Sequence, residues 1–456
     1  MAEPAATTPS AEVRMSLRDA HWRGLTIALV LNVTFVAFEA LAIATVMPVV
    51  AQDLGGLELY GWVFSAFLLA DLVGIVVAGE FADRYGPAVP FAAGLALFAG
   101  GLLAGGLAPA MPVLVAARAV QGLGAGTIPA VAYVVIGRTY PDELRPRMFA
   151  VLSTAWVAPG IAGPALAVII AQQLSWRFVF LGLLPVALVA GGFALREIRR
   201  MPARTGRAAR HVVPDALAVA AGAALVLGGL QALDVVRTAI LVAVGLALGL
   251  PAFRRLVPPG TLTARGALPA AVLARGLLTF AFFAADVYVP LTITVIRGEG
   301  IALSGIALTA ATVAWTVGAW IQERTVLRVG AVPLVQNGFL LLTAGIVGMA
   351  LVLVGVLPAA LSILAWGLGG LGIGMAYSSI SLTVLRHAPS GHEGATASGM
   401  QLSDALGTAL GTGFGAVGVA ISVASTTTPL GGVAFADAIA AASAVAGAVI
   451  AGRLRA

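Results

Sequence analysis

Along its length the chain alternates long apolar runs with short polar breaks. Runs of roughly 17 to 25 residues, enough to cross about 30 Å of hydrocarbon as helix, fall at about 24-50, 58-78, 88-107, 111-136, 149-172 and 177-195. A basic connector follows, holding Arg196, Arg199, Arg200, Arg204, Arg207 and Arg210. Further runs lie at about 215-233, 237-253, 267-295, 302-321, 332-355, 358-383, 397-422 and 433-451. The pattern predicts an all-α polytopic membrane protein of about 14 transmembrane helices. Twelve is the alternative if the weaker pair at 215-253 is set aside.

The distribution of charge tests that count, because cytoplasmic loops collect basic residues. With the N-terminus inside, the inner segments hold Arg14, Arg18, Arg23, Arg84, Arg138, Arg145, Arg147, the connector arginines, Arg254, Arg255, Arg265, Arg324, Arg328, Arg386, Arg453 and Arg455. The outer loops keep Arg177, Arg237 and Arg297. An odd number of spans in either half scrambles this separation, so fourteen spans with both termini cytoplasmic are expected.

The chain also repeats itself. Gly122, Gly124, Gly126, Arg138, Pro141 and Gly163 recur as Gly370, Gly372, Gly374, Arg386, Pro389 and Gly411, each pair separated by 248 (370 − 122). Two parallel six-helix repeats with two inserted helices are therefore expected, with substrate bound near the midplane between them. The organisation is a cytoplasmic tail over 1-22 ahead of an uncleaved first span, an N-terminal six-helix bundle over 23-195 and the connector over 196-211. Two additional helices occupy 212-256, and a C-terminal six-helix bundle occupies 257-456.

Composition changes the picture by what it excludes. The chain is 60% hydrophobic and 10% charged, with a mean hydropathy of +1.01, against roughly 25% charge in a soluble domain. There is no cysteine, so disulfides, thiol catalysis and thiolate metal sites are excluded. His21, His211, His387 and His392 sit in polar flanking segments, away from any intramembrane metal or catalytic cluster. A pI near 10.4 points to nucleic acid in a soluble protein; here membrane orientation accounts for the arginines, and no nucleic-acid partner is expected. All 26 basic residues are arginine, which fits a GC-rich bacterial genome and an inner-membrane location.

Three motif regions carry chemistry. Gly79-Glu80-Phe81-Ala82-Asp83-Arg84-Tyr85-Gly86 joins the second and third spans; its glycines permit a tight turn, and Asp83 and Arg84 are placed to pair with charges or helix ends of the neighbouring bundle. Arg118, Gln121, Gly122, Gly124 and Gly126 put a charge and a glycine run inside the fourth span. A charge at that depth costs roughly 2.5 kcal/mol or more and calls for a cavity and a partner, unless the side chain snorkels to the outer interface. Pro159, Gly160, Gly163 and Pro164 interrupt the fifth span, where proline bends a helix and glycine allows close approach to the opposite half.

These segments resemble the loop signature G-x-x-x-D-R-x-G, the fourth-span R-x-x-Q-G-x-G signature and the fifth-span antiporter motif of the major facilitator superfamily. The match departs from the family at Pro87-Ala88, where basic residues usually follow, and at Ala167 and Val168, which replace trailing glycines. Glu39 in FEALAIATVMP, nine residues before Pro48, resembles the first-span signature of the fourteen-spanner drug:proton antiporter family, with glutamate in place of aspartate. The resemblance implies export in exchange for protons.

Glu39 and Arg118 lie roughly 16 Å and 10 Å from the outer ends of their helices, close enough in depth to face each other across one cavity. An acid at mid-membrane is a candidate proton carrier, because desolvation penalises its charge. Asp71, Asp286 and Asp404 complete the set of membrane acids, with Asp404 within about two turns of the cytoplasmic end and open to hydration there. The ranking is Glu39 first, then Asp286 and Asp71, then Asp404. Trp366 stands one repeat after Arg118, and position 287, beside Asp286, one repeat after Glu39. Proton coupling is assigned to Glu39, Arg118, Asp286 and Asp71, and the substrate cavity to Glu39, Gln121, Asp286 and Trp366. Gating is assigned to Gly79, Asp83, Arg84, Gly86, Pro159, Gly160, Gly163 and Pro164.

Gly367, Gly369 and Gly372 fit a dinucleotide-binding pattern, but they lie within an apolar span with no preceding strand. Gly407, Gly411 and Gly415 read as a close helix contact, and Trp176-Arg177 as an interfacial anchor.

The expected function is a proton-coupled efflux antiporter of multidrug type, exporting lipophilic neutral or cationic compounds across the bacterial inner membrane by alternating access. Several membrane acids against one clear arginine favour such substrates over anions. Its partners are the small substrate, protons and the lipid bilayer, with the chain acting as a monomer. No cofactor, metal or catalytic residue is expected, and the protein is not expected to be an enzyme. The alternatives are an exporter dedicated to one endogenous metabolite, peptide or lipid, an importer by proton symport, and a receptor or assembly scaffold without transport.

Overall fold

The computed structural model describes residues 19–141, 144, 148, 151–152, 154–155, 157–200, 212–230, 234–389 and 393–455. The tail up to residue 18, Arg145 and Arg147, the connector residues Arg204, Arg207 and Arg210, and His211 and His392 lie outside the described residues. What is described is helical, with no strand among those residues.

The first half comprises α1 (Ala20–Leu54), α2 (Tyr60–Tyr85), α3 (Ala88–Gly106), α4 (Met111–Thr139), α5 (Val157–Gln173) and α6 in two pieces, Arg177–Leu181 and Leu183–Arg199. The inserted pair is α7 (Val212–Leu230) and α8 (Val235–Leu256). The second half comprises α9 (Ala267–Asp286), α10 (Ile301–Val329), α11 (Ala331–Leu353), α12 (Ser362–His387), α13 (Glu393–Thr426) and α14 (Leu430–Ala451). A further turn, Val289–Leu291, and a π turn, Thr292–Ile296, extend α9. Thirteen helices among the described residues are long and apolar enough to cross a bilayer, and α5 contributes a shorter apolar stretch, Ala162–Gln173. The continuous helix described for the fifth span starts at Val157, and Val151, Leu152 and Thr154 ahead of it are helical too. The chain is a multi-pass membrane protein.

The two halves repeat the same packing. In the first, α4 lies against α2 and α3, α1 against α5 and α6, and α3 against α6; in the second, α12 lies against α10 and α11, α9 against α13 and α14, and α11 against α14. Glycine makes these contacts close. A side chain at Gly122 or Gly126 would meet the backbone carbonyl of Phe67 or Asp71, and one at Gly370 or Gly374 would meet that of Ala311 or Trp315. Without a hydrophobic drive between helices in lipid, such backbone proximity is a main source of association.

These contacts refine the internal repeat. The offset of 248 relates α4 to α12, but α2 matches α10 at 244, since 315 − 71 and 311 − 67 both give 244. The turns after them agree, because Gly86 and Gly330 (330 − 86 = 244) both adopt φ near 80°, a backbone state suited to glycine. Carrying 248 from Glu39 to position 287 therefore extends a relation fixed on other helices.

The halves meet along two seams, α2 with α13 and α5 with α10, and α7 covers the first by packing on α2 and α13. On the second seam Gly160 packs on Thr312, and Gly305 on Pro164 and Val168. Gly163 instead faces Phe38 and Leu41 of α1 within its own half, which corrects its expected place against the opposite half. Gly407, Gly411 and Gly415 line α13 where it meets α9 and Tyr288.

The end carrying Arg84, Arg199, Arg255 and Arg328 is the basic end of the bundle. At the opposite end the Tyr60 hydroxyl donates to the Val287 carbonyl (3.2 Å) and the Tyr288 hydroxyl to the Thr412 carbonyl (2.8 Å). The two tyrosine rings lie 5.9 Å apart. Near them the hydroxyls of Ser65 and Thr412 are 3.3 Å apart. The halves are thus pinned together at that end. Trp176 and Arg177 both donate to Asp53, at 2.9 and 2.8 Å, anchoring the start of α6 to the end of α1.

Candidate functional site

The first half holds one buried polar network, and the second half holds an aromatic wall that ends in another. In the first half, α4 presents Arg118 and Gln121 three residues apart, on one helical face, toward Glu39 of α1. The Arg118 Nη1 donates to Glu39 Oε1 (2.5 Å) and to Gln121 Oε1 (2.8 Å), and Gln121 Nε2 donates to the same Glu39 oxygen (2.9 Å). The Arg118 Nε donates to the Val63 carbonyl (3.3 Å), and its guanidinium lies 3.9 Å over the centre of the Phe67 ring.

Glu39 and Gln121 are fully buried and Arg118 is 3% exposed. A charge pair so desolvated depends on its geometry, since losing either partner strands the other. Arg118 therefore points inward to a partner rather than to the interface. One acceptor is left over, because Glu39 Oε2 is buried with no hydrogen-bond partner. Asp71, one turn along α2 from Phe67, is partly exposed. It makes no hydrogen bond or ion pair among the described residues.

In the second half the equivalent donor is an indole. Trp366 Nε1 donates to Asp286 Oδ1 (2.7 Å). Its ring stacks on Phe282 with centroids 4.9 Å apart, Phe282 meets Trp315 edge-on at 5.4 Å, and Trp315 meets Tyr377 at 5.4 Å. At the far end of this wall the Tyr377 hydroxyl donates to Asp404 Oδ2 (3.1 Å). Arg275 closes the network. Its Nε donates to Asp404 Oδ1 (3.1 Å), and its Nη1 to the Tyr377 carbonyl (2.9 Å) and the Ser381 hydroxyl (3.1 Å).

Sequence reasoning missed Phe282, Trp315, Tyr377 and Arg275 among these groups. It counted one clear arginine in the membrane, whereas Arg275 is a second, 1% exposed. Its position inside the run at 267-295 was the available signal. Asp404 is accordingly ion-paired rather than merely hydrated. Asp437 in α14 is a further buried acid, 5% exposed, with no hydrogen bond or ion pair among the described residues.

Of the expected gating residues, Gly86 ends α2 at positive φ, and Arg84 is exposed beside the Tyr85 ring, 5.3 Å from its centre. Gly79 and Asp83 fall in the helical backbone of α2, and their side chains lie outside the described residues. Pro159 is buried at the start of α5 and Pro164 lies within it. Among the described residues no three His, Asp or Glu side chains group as a metal site requires.

A family model, the Major Facilitator Superfamily, matches residues 27–412. Multidrug resistance protein 3 of Bacillus subtilis is 28% identical over 39% of this chain and 35% of its own length. Multidrug transporter protein MdtP of the same organism is 30% identical over 42% of this chain and 34% of its own length. The matched segments thus span about a third of these curated relatives. Among solved structures, a POT family transporter in complex with 5-aminolevulinic acid superposes with a TM-score of 0.70 at 14% identity, covering 95% of this chain and 96% of that one; at that identity the likeness is one of fold.

Proposed function

Because this chain belongs to the major facilitator superfamily, we propose that it is a proton-coupled antiporter exporting lipophilic neutral or cationic compounds by alternating access. The observation that carries this reading is the sealed Glu39, Arg118 and Gln121 network with one carboxylate oxygen left without a partner. A fully formed structural ion pair has no use for an orphaned acceptor; a proton carrier does. The naming of two relatives as multidrug proteins supports the choice of substrate class.

In this scheme the basic end faces the cytoplasm, so the Tyr60 and Tyr288 seal closes the outer entrance. When the outer end opens, a proton adds to Glu39 Oε2 and removes the charge that balances Arg118. The guanidinium then turns to Asp71, the next acid along the α2 face beneath it. That movement slides α4 against α2 on the glycine contacts, and the protonated carrier returns inward. Substrate binding at the inner opening favours the deprotonated state, so proton and substrate displace each other. The exchange needs no covalent step and no cofactor.

The test is ethidium efflux from cells expressing the wild type or Glu39→Gln at matched membrane levels, with and without a protonophore. The reading predicts efflux that collapses with the protonophore and with the substitution. Protonophore-sensitive efflux that survives in Glu39→Gln moves the coupling to Asp71 or Asp286. A wild type that exports one metabolite and no dye is a dedicated exporter.

A further inference from the structure

Asp437 is a buried acid that neither the Glu39 network nor the Asp404 network uses. It stands seven residues into α14, about 10 Å inside the end opposite the basic one. It is 5% exposed and has no hydrogen bond or ion pair among the described residues. A carboxylate left without a partner at such a place is too costly to keep charged, so in this structure the group holds a proton.

The repeat shows what stands at this place in the first half. Gly191 of α6 packs on Leu95 of α3, and Gly447 of α14 on Phe339 of α11. The offset between α3 and α11 is thus 244 (339 − 95), as it is between α2 and α10, and that between α6 and α14 is 256 (447 − 191). Asp437 therefore matches Leu181 (437 − 256), which packs on Gly106 at the end of α3. Gly106 in turn matches Ala350 (106 + 244), one turn before the end of α11. An apolar contact of the first half has become an acid in the second, beside the end of α11.

One cation reaches the same corner. Arg297 follows the π turn that extends α9, and that turn packs on both α11 and α14. The guanidinium lies over Gly355, just past α11, where a side chain would collide with Nη1. Its Nε is buried with no acceptor, so the arginine has an unused donor as Asp437 has an unused carboxyl. Gly298, Glu299 and Gly300 beside it are exposed, which opens the corner to water.

The other charges around α14 are engaged or remote. Of the helices packed on it, α11 carries no charged residue. In α9, Arg275 is paired with Asp404 of α13, and Asp286 accepts from Trp366. Glu393 begins α13 at the basic end, where Arg453 and Arg455 also lie.

We infer that Asp437 is a second proton-binding site, filled from the medium at the end that Tyr60 and Tyr288 close, and that its deprotonated form takes Arg297 as counter-ion. To reach the carboxylate, Arg297 leaves Gly355 and draws the π turn toward α14. Tyr288, at the base of that extension, moves with it. The proton thus binds the closed form better, and by linkage acid favours closure. Neither Glu39 nor substrate takes part, so the site stands whether or not the chain exports.

The test uses the full-length detergent-solubilised chain carrying Glu39→Gln, which removes the other exchangeable proton, and Ser65→Cys, buried on the closed seam. Labelling by a membrane-impermeant thiol reagent is followed from neutral to alkaline pH, each rate being corrected for thiol ionisation against the unfolded chain. The corrected rate is expected to rise about fivefold or more with pH. Adding Asp437→Asn, a fixed stand-in for the protonated acid, keeps labelling slow throughout. Asp437→Leu, which supplies the side chain of the matching Leu181, does the same and guards against misfolding. Arg297→Gln also stays slow, whereas Arg297→Lys retains the rise. At neutral pH the infrared difference between the parent and Asp437→Asn shows one protonated carboxyl. A parent without a rise, a rise that survives both Asp437 variants, or a difference spectrum without that carboxyl overturns the site. A rise lost in Asp437→Asn but unchanged in Arg297→Gln overturns the role of Arg297.

Discussion

Arg118 and Trp366 occupy equivalent positions in the two repeats, and each donates a hydrogen bond to an acid on the first helix of its own half, Glu39 at 2.5 Å and Asp286 at 2.7 Å. The same scaffold position thus delivers a charge in one half and an aromatic donor in the other. Removing the donors should have unequal consequences. Arg118→Ala strands a fully buried carboxylate and is expected to cost about 3–5 kcal/mol, whereas Trp366→Phe loses one hydrogen bond, worth about 1 kcal/mol. Thermal unfolding of the detergent-solubilised variants measures the difference.

The Glu39 and Arg118 pair should be strongly non-additive. Each single alanine variant leaves its partner uncompensated, while the double variant Glu39→Ala, Arg118→Ala removes both charges. The double variant is expected to be more stable than the sum of the single losses by about 1–3 kcal/mol, read from a double-mutant cycle. Additive losses contradict direct pairing.

Arg275 predicts a comparable effect in the second half. Its guanidinium holds Asp404, the Tyr377 carbonyl and Ser381 at once, so α9, α12 and α13 converge on one group. Arg275→Lys keeps the charge but loses the planar fork, and it should lower the unfolding temperature nearly as much as Arg275→Ala. A lysine variant as stable as the wild type shows that only the charge matters there.

The glycine contacts predict steric intolerance. A side chain at Gly126 meets the Asp71 carbonyl on the neighbouring helix, and backbone cannot give way as a side chain can. Gly126→Val is expected to separate α4 from α2 and to abolish accumulation of folded protein, while Gly192→Val, with open space around it, accumulates normally. Size-exclusion profiles of matched preparations decide this.

The seal at the end opposite the basic one can be probed because the chain has no cysteine. A single Ser65→Cys sits buried on the seam beside Thr412 and should react slowly with a membrane-impermeant thiol reagent. Adding Gly61→Val pushes against Ala416 and the Tyr288 hydroxyl and should open the seam, raising the labelling rate about tenfold or more. Unchanged labelling shows that the tyrosine contacts do not close the entrance.

The apolar runs were legible because spanning length is a property of composition. The pairing of Glu39 with Arg118 was approachable from their depths alone. The correspondence of Asp71 with Trp315 was not, because the two share no chemistry; only the backbone contacts of Gly126 and Gly374 reveal it. Arg275 and Asp437 stand in the runs at 267-295 and 433-451 as visibly as Asp71 or Asp286 do in theirs; what spacing does not give is their burial and the pairing of Arg275 with Asp404. Which carboxylate keeps a free oxygen depends on side-chain geometry, which no spacing encodes.

Proton release on substrate binding tests the central claim most directly. In a weakly buffered solution of the detergent-solubilised chain containing a pH-indicating dye, adding ethidium to the wild type near the pH at which Glu39 is half protonated should release protons and acidify the medium. Glu39→Gln should bind ethidium with no release. Release from Glu39→Gln equal to that of the wild type contradicts the account, because the exchanged proton then resides on another group.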